Sequence, residues 1–276
     1  MFLQVLSKCH FFYLLAMLSS GIMRKNEHIS QEIIDRVWKK TWREDDSSVS
    51  VVTNRFFVEA YPVFKKYIPS KTDKVLELAT GCGRFGVSIA NDFKDSKVYV
   101  SDILEESLGL ARKLADDLNV HNIEFSVQDC LHINFEDNYF DVVFADALIQ
   151  HLPQDNNAVK EMARVLKPGG RIILAVVNKW NFHTFYKLLM GRKYSYGYER
   201  SYSKKELRKI LKNNGMKIEA EDGFYVGYGI FRLKKYHKMF HFLGRAVNRL
   251  SKILDKHTDR FFTKNFGFEI VIVGKK

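Results

Sequence analysis

Apolar positions recur along the chain with two distinct periods. From Ile29 to Trp42 (ISQEIIDRVWKKTW), Ile29, Ile33, Val37 and Trp38 share one helical face, and Ser30 is placed to cap the start. The run DDSSVS at 45–50 interrupts that pattern. A second helix is predicted over about 51–66, ending near Pro69. From Lys74 onward the period changes. VLELA, KVYVSDI (97–103), IEFSVQD (123–129), FDVVFAD (140–146) and GGRIILAVV (169–177) are short runs rich in Val and Ile. The intervals opening at Gly86 and spanning 107–118 and 155–166 are helical. Such alternation predicts an α/β fold: a doubly wound, mostly parallel sheet with helices on both faces.

The last third continues differently. SKKELRKILKNNG (203–215) is a helix with Ser203 three residues before Glu206, a capping box, and Gly215 as its stop. MKIEAED (216–222) and FEIVIVG (268–274) bring the strand count to seven. Between them lies a basic helical insertion in which Phe240, Leu243, Val247, Leu250 and Leu254 form a stripe. The expected organisation is an N-terminal extension (1–28), a helical cap (29–72) and one α/β domain (73–276). Within that domain, 178–202 is a substrate-side segment and 230–264 the basic insertion.

Charge sharpens this division. The 276 residues carry a formal net charge of +12, yet 171–276 hold 24 Lys/Arg against 8 Asp/Glu while 1–170 hold 20 against 24. A basic last third favours an anionic partner: a lipid surface, an acidic substrate or nucleic acid. The insertion at 232–260 alone has nine Lys/Arg against two acids, flanked by phenylalanines. It reads as a membrane-interface segment or as a solvated basic helix packed on the domain. Nucleic acid is less favoured, because no zinc-finger spacing or RNA-binding motif accompanies the charge.

Cys9, Cys82 and Cys130 form no framework, which predicts free thiols in a reducing compartment, hence a cytoplasmic protein, with a peripheral membrane position as the alternative. The apolar run FFYLLAML (11–18) is far short of the roughly 20 residues a spanning helix needs. A spurious extension before Met23, a membrane-leaning anchor and a signal-peptide core all remain open for it. Oligomeric state is left open as well.

The chemistry concentrates at VLELATGCGRFG (75–86). Gly81, Gly83 and Gly86 spell the GxGxxG of a dinucleotide site, where a strand turns into a helix. The missing Cβ atoms permit a tight turn and a close ligand. Glu77 points elsewhere: a carboxylate beside the turn repels a pyrophosphate and welcomes a cationic group such as a sulfonium or an ammonium.

The stretch resembles the first motif of class I S-adenosylmethionine-dependent methyltransferases, D/E-x-G-x-G-x-G. Glu77, Gly81 and Gly83 match it, while Ala79 stands where the first glycine usually stands, as in some quinone-biosynthesis members. The remaining family marks follow in order. VYVSDI supplies Asp102, followed by Ile103, for the ribose hydroxyls. SVQDC supplies Asp129 and Cys130 at the adenine. FDVVFADALIQHL contains Ala145 and Asp146, and LKPGGRI precedes strand five. The resemblance runs from about residue 74 to 177 and implies S-adenosylmethionine as cofactor. It names Glu77, Ala79, Gly81, Gly83, Asp102, Ile103, Asp129, Cys130 and Ala145 as its binding residues.

The reaction implied is methyl transfer to a small or lipid-like metabolite. Such chemistry asks mainly for orientation, and for a base where the acceptor bears a proton. His151 and Asp146 are the candidate catalytic residues, although His151 also reads as a packing or helix-capping residue. Arg84 reads as a surface charge and Phe85 as packing. The aromatic segment 178–203, with His183 and Tyr186 on one face, reads as an acceptor pocket or a satellite core. No cluster indicates a metal. The alternatives are an RNA or protein methyltransferase, which the absence of an N/D-P-P-Y/F motif disfavours, or a non-catalytic cofactor-binding scaffold.

Overall fold

The computed structural model of the chain describes residues 50–190, 198–231, 233 and 238–276. The helix predicted over 29–42 and the apolar run at 11–18 lie outside the described residues. The helix predicted over 51–66 forms as two, α1 (Ser50–Thr53) and α2 (Arg55–Lys65). Asn54 divides them. Its backbone is extended, with φ −67° and ψ 158°, and its side-chain oxygen accepts the Phe57 N–H at 2.9 Å. That bond satisfies an otherwise orphaned donor and starts a new helix.

The alternating region then follows the predicted order. β1 (Lys74–Leu78), α3 (Arg84–Asp92), β2 (Lys97–Asp102), α4 (Glu105–Asp117), β3 (Ile123–Val127) and β4 (Phe140–Asp146) come first. A 3-10 turn (Ile149–His151), α5 (Asp155–Val165), β5 (Leu166–Val177) and α6 (Phe182–Met190) continue the chain. The last third holds α7 (Lys204–Asn213), β6 (Lys217–Phe224), α8 (Tyr228–Phe231), α9 (Met239–Asp255), α10 (Phe261–Phe266) and β7 (Glu269–Lys275). Ser203 and Glu206 close the predicted capping box at α7.

These strands form one sheet in the order β3-β2-β1-β4-β5-β7-β6, in which β7 runs antiparallel to β5 and β6. Period-two alternation sorts its side chains into two cores. Val75, Val142 and Phe144 face α2, α3 and α4, whereas Leu76, Leu78, Val143 and Ala145 face α5 and α7. The N-terminal helices are fixed to the first core by aromatic rings. The Phe64 ring centroid lies 4.9 Å from Phe85, 4.8 Å from Phe144 and 5.5 Å from Phe224. Each such pair contributes about 0.5–1.5 kcal/mol beyond its burial.

Strand order reverses between β1 and β4. In open α/β sheets the crevice at the carboxyl ends of the strands on either side of such a point receives ligands.

Candidate functional site

Beyond Leu78 the chain turns through residues 79–83 into α3. Ala79, Gly81 and Gly83 all lie in the left-handed region, at φ 55°, 56° and 79°. A left-handed alanine is strained by about 1–2 kcal/mol relative to glycine's freedom. This is the physical reason a glycine is usual at position 79 in the motif. Ala79→Gly is expected to raise stability by up to about 1 kcal/mol, read as a higher denaturant midpoint. A lower midpoint would mean that packing of the methyl outweighs the strain.

At two of the glycines the close neighbour is protein rather than ligand. A Cβ on Gly83 would stand 2.5 Å from the Ala111 Cβ of α4. One on Gly86 would collide with Glu77 Oε2 and Val100 Cγ2. These residues let α3 and α4 close over β1 and leave room for the buried carboxylate.

The loop's N–H groups are directed inward as well. Gly81 N–H donates to Asp102 Oδ2 at 2.9 Å, Gly86 N–H to Glu77 Oε2 at 3.0 Å, and Gly83 N–H to the Thr80 carbonyl at 3.1 Å. A pyrophosphate cradle needs such donors free. Here two of them are spent on carboxylates, so the turn does not fit a dinucleotide. Glu77 is 1% exposed, and burial pushes its carboxyl up to about 8 against the bonds from Thr80 and Gly86. Asp102 also accepts the Leu104 N–H, at 3.0 Å, and burial raises its pKa against these backbone bonds.

A cavity of about 260 Å³ opens beside this loop. Its walls come in turn from the carboxyl ends of β3 (Asp129, Cys130), β2 (Asp102, Ile103), β1 (Glu77, Ala79, Gly81) and β4 (Asp146, His151). Four strands set its length at three inter-strand steps, about 14 Å. That is an elongated site with a hydroxyl acceptor, Asp102, partway along it. A nucleoside bearing an amino-acid tail fits such a layout. Two sequence candidates lie outside the lining: Gly83 is held beneath α4, and Ala145, 1% exposed, faces the opposite core. Period two explains Ala145, since Asp146 beside it points the other way. Asp129 Oδ1 accepts the Leu131 N–H at 2.8 Å. The Cys130 thiol is pushed up to about 12 by burial and by the neighbouring Asp129 charge, so it stays protonated.

At the β4 end, the buried carboxyl of Asp146 lies beside that of Glu269, the first residue of β7. Two carboxyl groups bond to one another only through a proton. Burial raises the pKa of both, and Asp146 holds Glu269 well above the carboxylate range. Asp146 Oδ1 and Glu269 Oε2 are buried oxygens that find no N–H or O–H donor among the described residues, which a proton shared between the two carboxyls would satisfy. Arg84 was expected at the surface. Instead it lines the cavity and offsets the pair's charge. Glu269 was not a sequence candidate, although a lone acid within FEIVIVG was the available signal.

His151 is 6% exposed, and its Nδ1 lies 2.8 Å from the Tyr198 carbonyl. That contact assigns the proton to Nδ1, and Gln150 Nε2 lies 3.3 Å from Nε2. Burial lowers its pKa, so the ring is neutral at pH 7. His183 and Tyr186 share a helical face as expected, with ring centroids 6.3 Å apart, but neither lines the cavity. His183 meets Glu199 at 3.3 Å, and Lys187 reaches the same carboxylate at 3.1 Å. These partners hold Glu199 down at about 2 despite its burial.

A family model for the methyltransferase domain matches residues 69–223, more than half of the chain. The chain belongs to the methyltransferase domain family. Among curated relatives, this methyltransferase is 33% identical over 155 residues to a ubiquinone/menaquinone biosynthesis C-methyltransferase of Rickettsia bellii, covering 49% of this chain and 62% of the relative. The counterpart from Rickettsia massiliae is 31% identical over 177 residues, 55% of this chain and 71% of its own. The chain thus spans between half and two thirds of the first relatives it matches. A solved S-adenosylmethionine-dependent methyltransferase from Thermotoga maritima superposes with a TM-score of 0.61 at 17% identity, over 88% of this chain and 99% of its own. The fold is that of class I methyltransferases. Family, fold and the turn's chemistry support S-adenosylmethionine as the cofactor. No helix among the described residues is long and apolar enough to cross a membrane.

Proposed function

We propose that this chain methylates a small, lipid-like metabolite, with a proton-bearing ring such as a quinone precursor as the preferred acceptor class. The observation that carries the reading is Asp146 in the cavity wall at the β4 end, with a second buried carboxyl, Glu269, beside it and Arg84 in the same wall. Similarity to relatives named for quinone biosynthesis supports the apolar, ring-bearing class.

S-adenosylmethionine, when bound, supplies a methyl group already activated by its sulfonium. Glu77, Ala79, Gly81, Asp102, Ile103, Asp129 and Cys130 would hold it. The chain's remaining task is to orient the acceptor, exclude water and receive its proton. Asp146 is assigned the last role: its carboxylate in the cavity wall accepts the acceptor's hydrogen bond and then its proton. Glu269 tunes Asp146 through the shared proton, and Arg84 stabilises the ionised form of the pair. His151, neutral and held by Tyr198, is the second candidate for a base. A lipid-like acceptor would be met at a membrane surface, which makes a peripheral position the matching location.

The test begins with calorimetric titration of the full chain with S-adenosylmethionine, followed by acceptor screens with phenols, quinone precursors and lipids. Asp146→Ala is expected to lower kcat by about 100-fold while cofactor affinity stays within about twofold. Glu269→Gln should retain turnover but shift its pH profile. Wild-type turnover in Asp146→Ala removes the base assignment, and a folded chain that ignores the cofactor removes the whole reading. Unchanged turnover in His151→Ala would leave that residue a packing role.

A further inference from the structure

The orientation of α9 is unusual. Gly244, Asn248 and Ser251 are its buried residues, while Met239, Phe242, Leu243, Leu250, Ile253 and Leu254 are exposed, Phe242 by 68%. An ordinary surface helix buries the apolar stripe and exposes the small polar one. Backbone contact enforces the inversion. A Cβ on Gly244 would stand 2.9 Å from both the Gly227 carbonyl oxygen and the Phe231 nitrogen, so this face alone permits the crossing with α8. Glu59 of α2 locks the rotation, accepting from Asn248 at 2.9 Å and Lys252 at 2.8 Å.

Helical spacing sets a second stripe beside the apolar one. Arg245, Arg249, Lys252 and Lys256 follow one another at intervals of four, three and four residues. With Arg55 they line a groove of about 550 Å³ on the helix flank. Glu59 is the carboxylate that meets this group among the described contacts. The helix therefore has three faces: small residues inward, cations on one flank, and apolar side chains outward. An apolar face rimmed by cations matches an interface between acyl chains and anionic headgroups. A nucleic-acid surface would use the cations but leave the aliphatic side chains without a role.

We infer that α9 docks this methyltransferase on an anionic lipid bilayer, its aliphatic face in the interface and its flank cations among the headgroups. The surface lies at the catalytic end of the sheet. α8, which α9 crosses, follows the carboxyl end of β6, and Tyr228 of α8 packs 5.9 Å from the Phe56 ring, over which Arg84 of the cavity wall lies at 5.3 Å. The inference rests on the lipid-like acceptor for its purpose, not for its evidence.

Co-sedimentation of the full chain with phosphatidylcholine vesicles, with and without phosphatidylglycerol, tests it. Binding is expected only with the anionic lipid and should weaken as salt rises. Each flank cation contributes about fivefold, so Arg245→Glu with Arg249→Glu should reduce binding by well over tenfold. Leu250→Glu with Ile253→Glu should do the same without altering the charge row. Calorimetric titration with S-adenosylmethionine, unchanged in both variants, shows that they are folded and keeps this result separate from the methyltransferase reading. Wild-type vesicle binding by either variant overturns the inference. So do the alternative occupants: binding to single-stranded RNA but not vesicles, a dimer in sedimentation equilibrium that the Leu250→Glu variant abolishes, or vesicle binding gained only when residues 1–49 are removed.

Discussion

Asp102→Ala should weaken S-adenosylmethionine binding by about 100-fold and destabilise the apo chain by about 2–4 kcal/mol. Both effects have one origin. Asp102 Oδ2 accepts the Gly81 N–H and Oδ1 accepts the Leu104 N–H, so the carboxylate ties the glycine turn to the end of β2. Truncation leaves two buried donors unsatisfied, at about 1–3 kcal/mol each. Asp102 also lines the cavity, and charge-assisted bonds from its carboxylate to two hydroxyls would account for the affinity. Asp102→Asn separates the two contributions. It keeps one oxygen for one of the two N–H groups and faces the other with its own NH2, so it should recover at most about half of the stability and little of the affinity. Calorimetry and denaturant unfolding on the same preparations check this. Full affinity in Asp102→Ala would show that the cofactor's hydroxyls are held elsewhere.

Stability should fall as pH rises from about 6.5 to about 8, and Glu77→Gln should flatten that fall. The sign follows from burial. Glu77 has its folded pKa raised to about 8, so the native state keeps a proton that the unfolded chain has already released above the ordinary carboxylate range. Where the native state binds more protons, stability decreases with pH, by up to about 1.4 kcal/mol per pH unit for one group. Asp146 and Glu269 act in the same direction. His151 opposes them below its ordinary value of 6.5, because burial lowers its pKa and unfolding then takes up a proton. Glu199, held near 2, contributes stability that is lost as pH falls from about 4.5 through 2. The window above pH 6.5 therefore belongs to the carboxylates. Denaturant midpoints across it measure the slope, and an unchanged slope in Glu77→Gln would place that proton elsewhere.

Bound cofactor adds a corollary at Glu77. A cation brought into the cavity favours the ionised carboxylate. Binding at pH 7 would then release more protons in the wild type than in Glu77→Gln.

Much of the architecture was legible because the relevant physics is local. Val- and Ile-rich runs separated by helix-period segments specify a parallel sheet. Each strand then delivers an acid at or just past its carboxyl end, as with Glu77, Asp102 and Asp129. Ser203 and Glu206 announce a helix start whatever surrounds them. The division at Asn54 went unread in the single helix expected over about 51–66, although its signal, a capping side chain within a helical pattern, is local too.

What the sequence by itself determined was the order of elements and the composition of the turn between β1 and α3. Tertiary structure decided which groups meet. Glu269 lies 123 residues beyond Asp146 in the chain, and only the insertion of β7 beside β5 brings it to the β4 end of the cavity. Arg84 became a cavity wall because α3 packs over β1 with its first turn at the crevice. Which stripe of α9 faces outward was set by Gly244 against Gly227 and by Glu59 from α2. Periodicity finds stripes, but it cannot rank an apolar stripe against a backbone contact that only glycine allows. Pairing of buried charges and close backbone approach are long-range events, and their energies exist only once the sheet has brought the partners together.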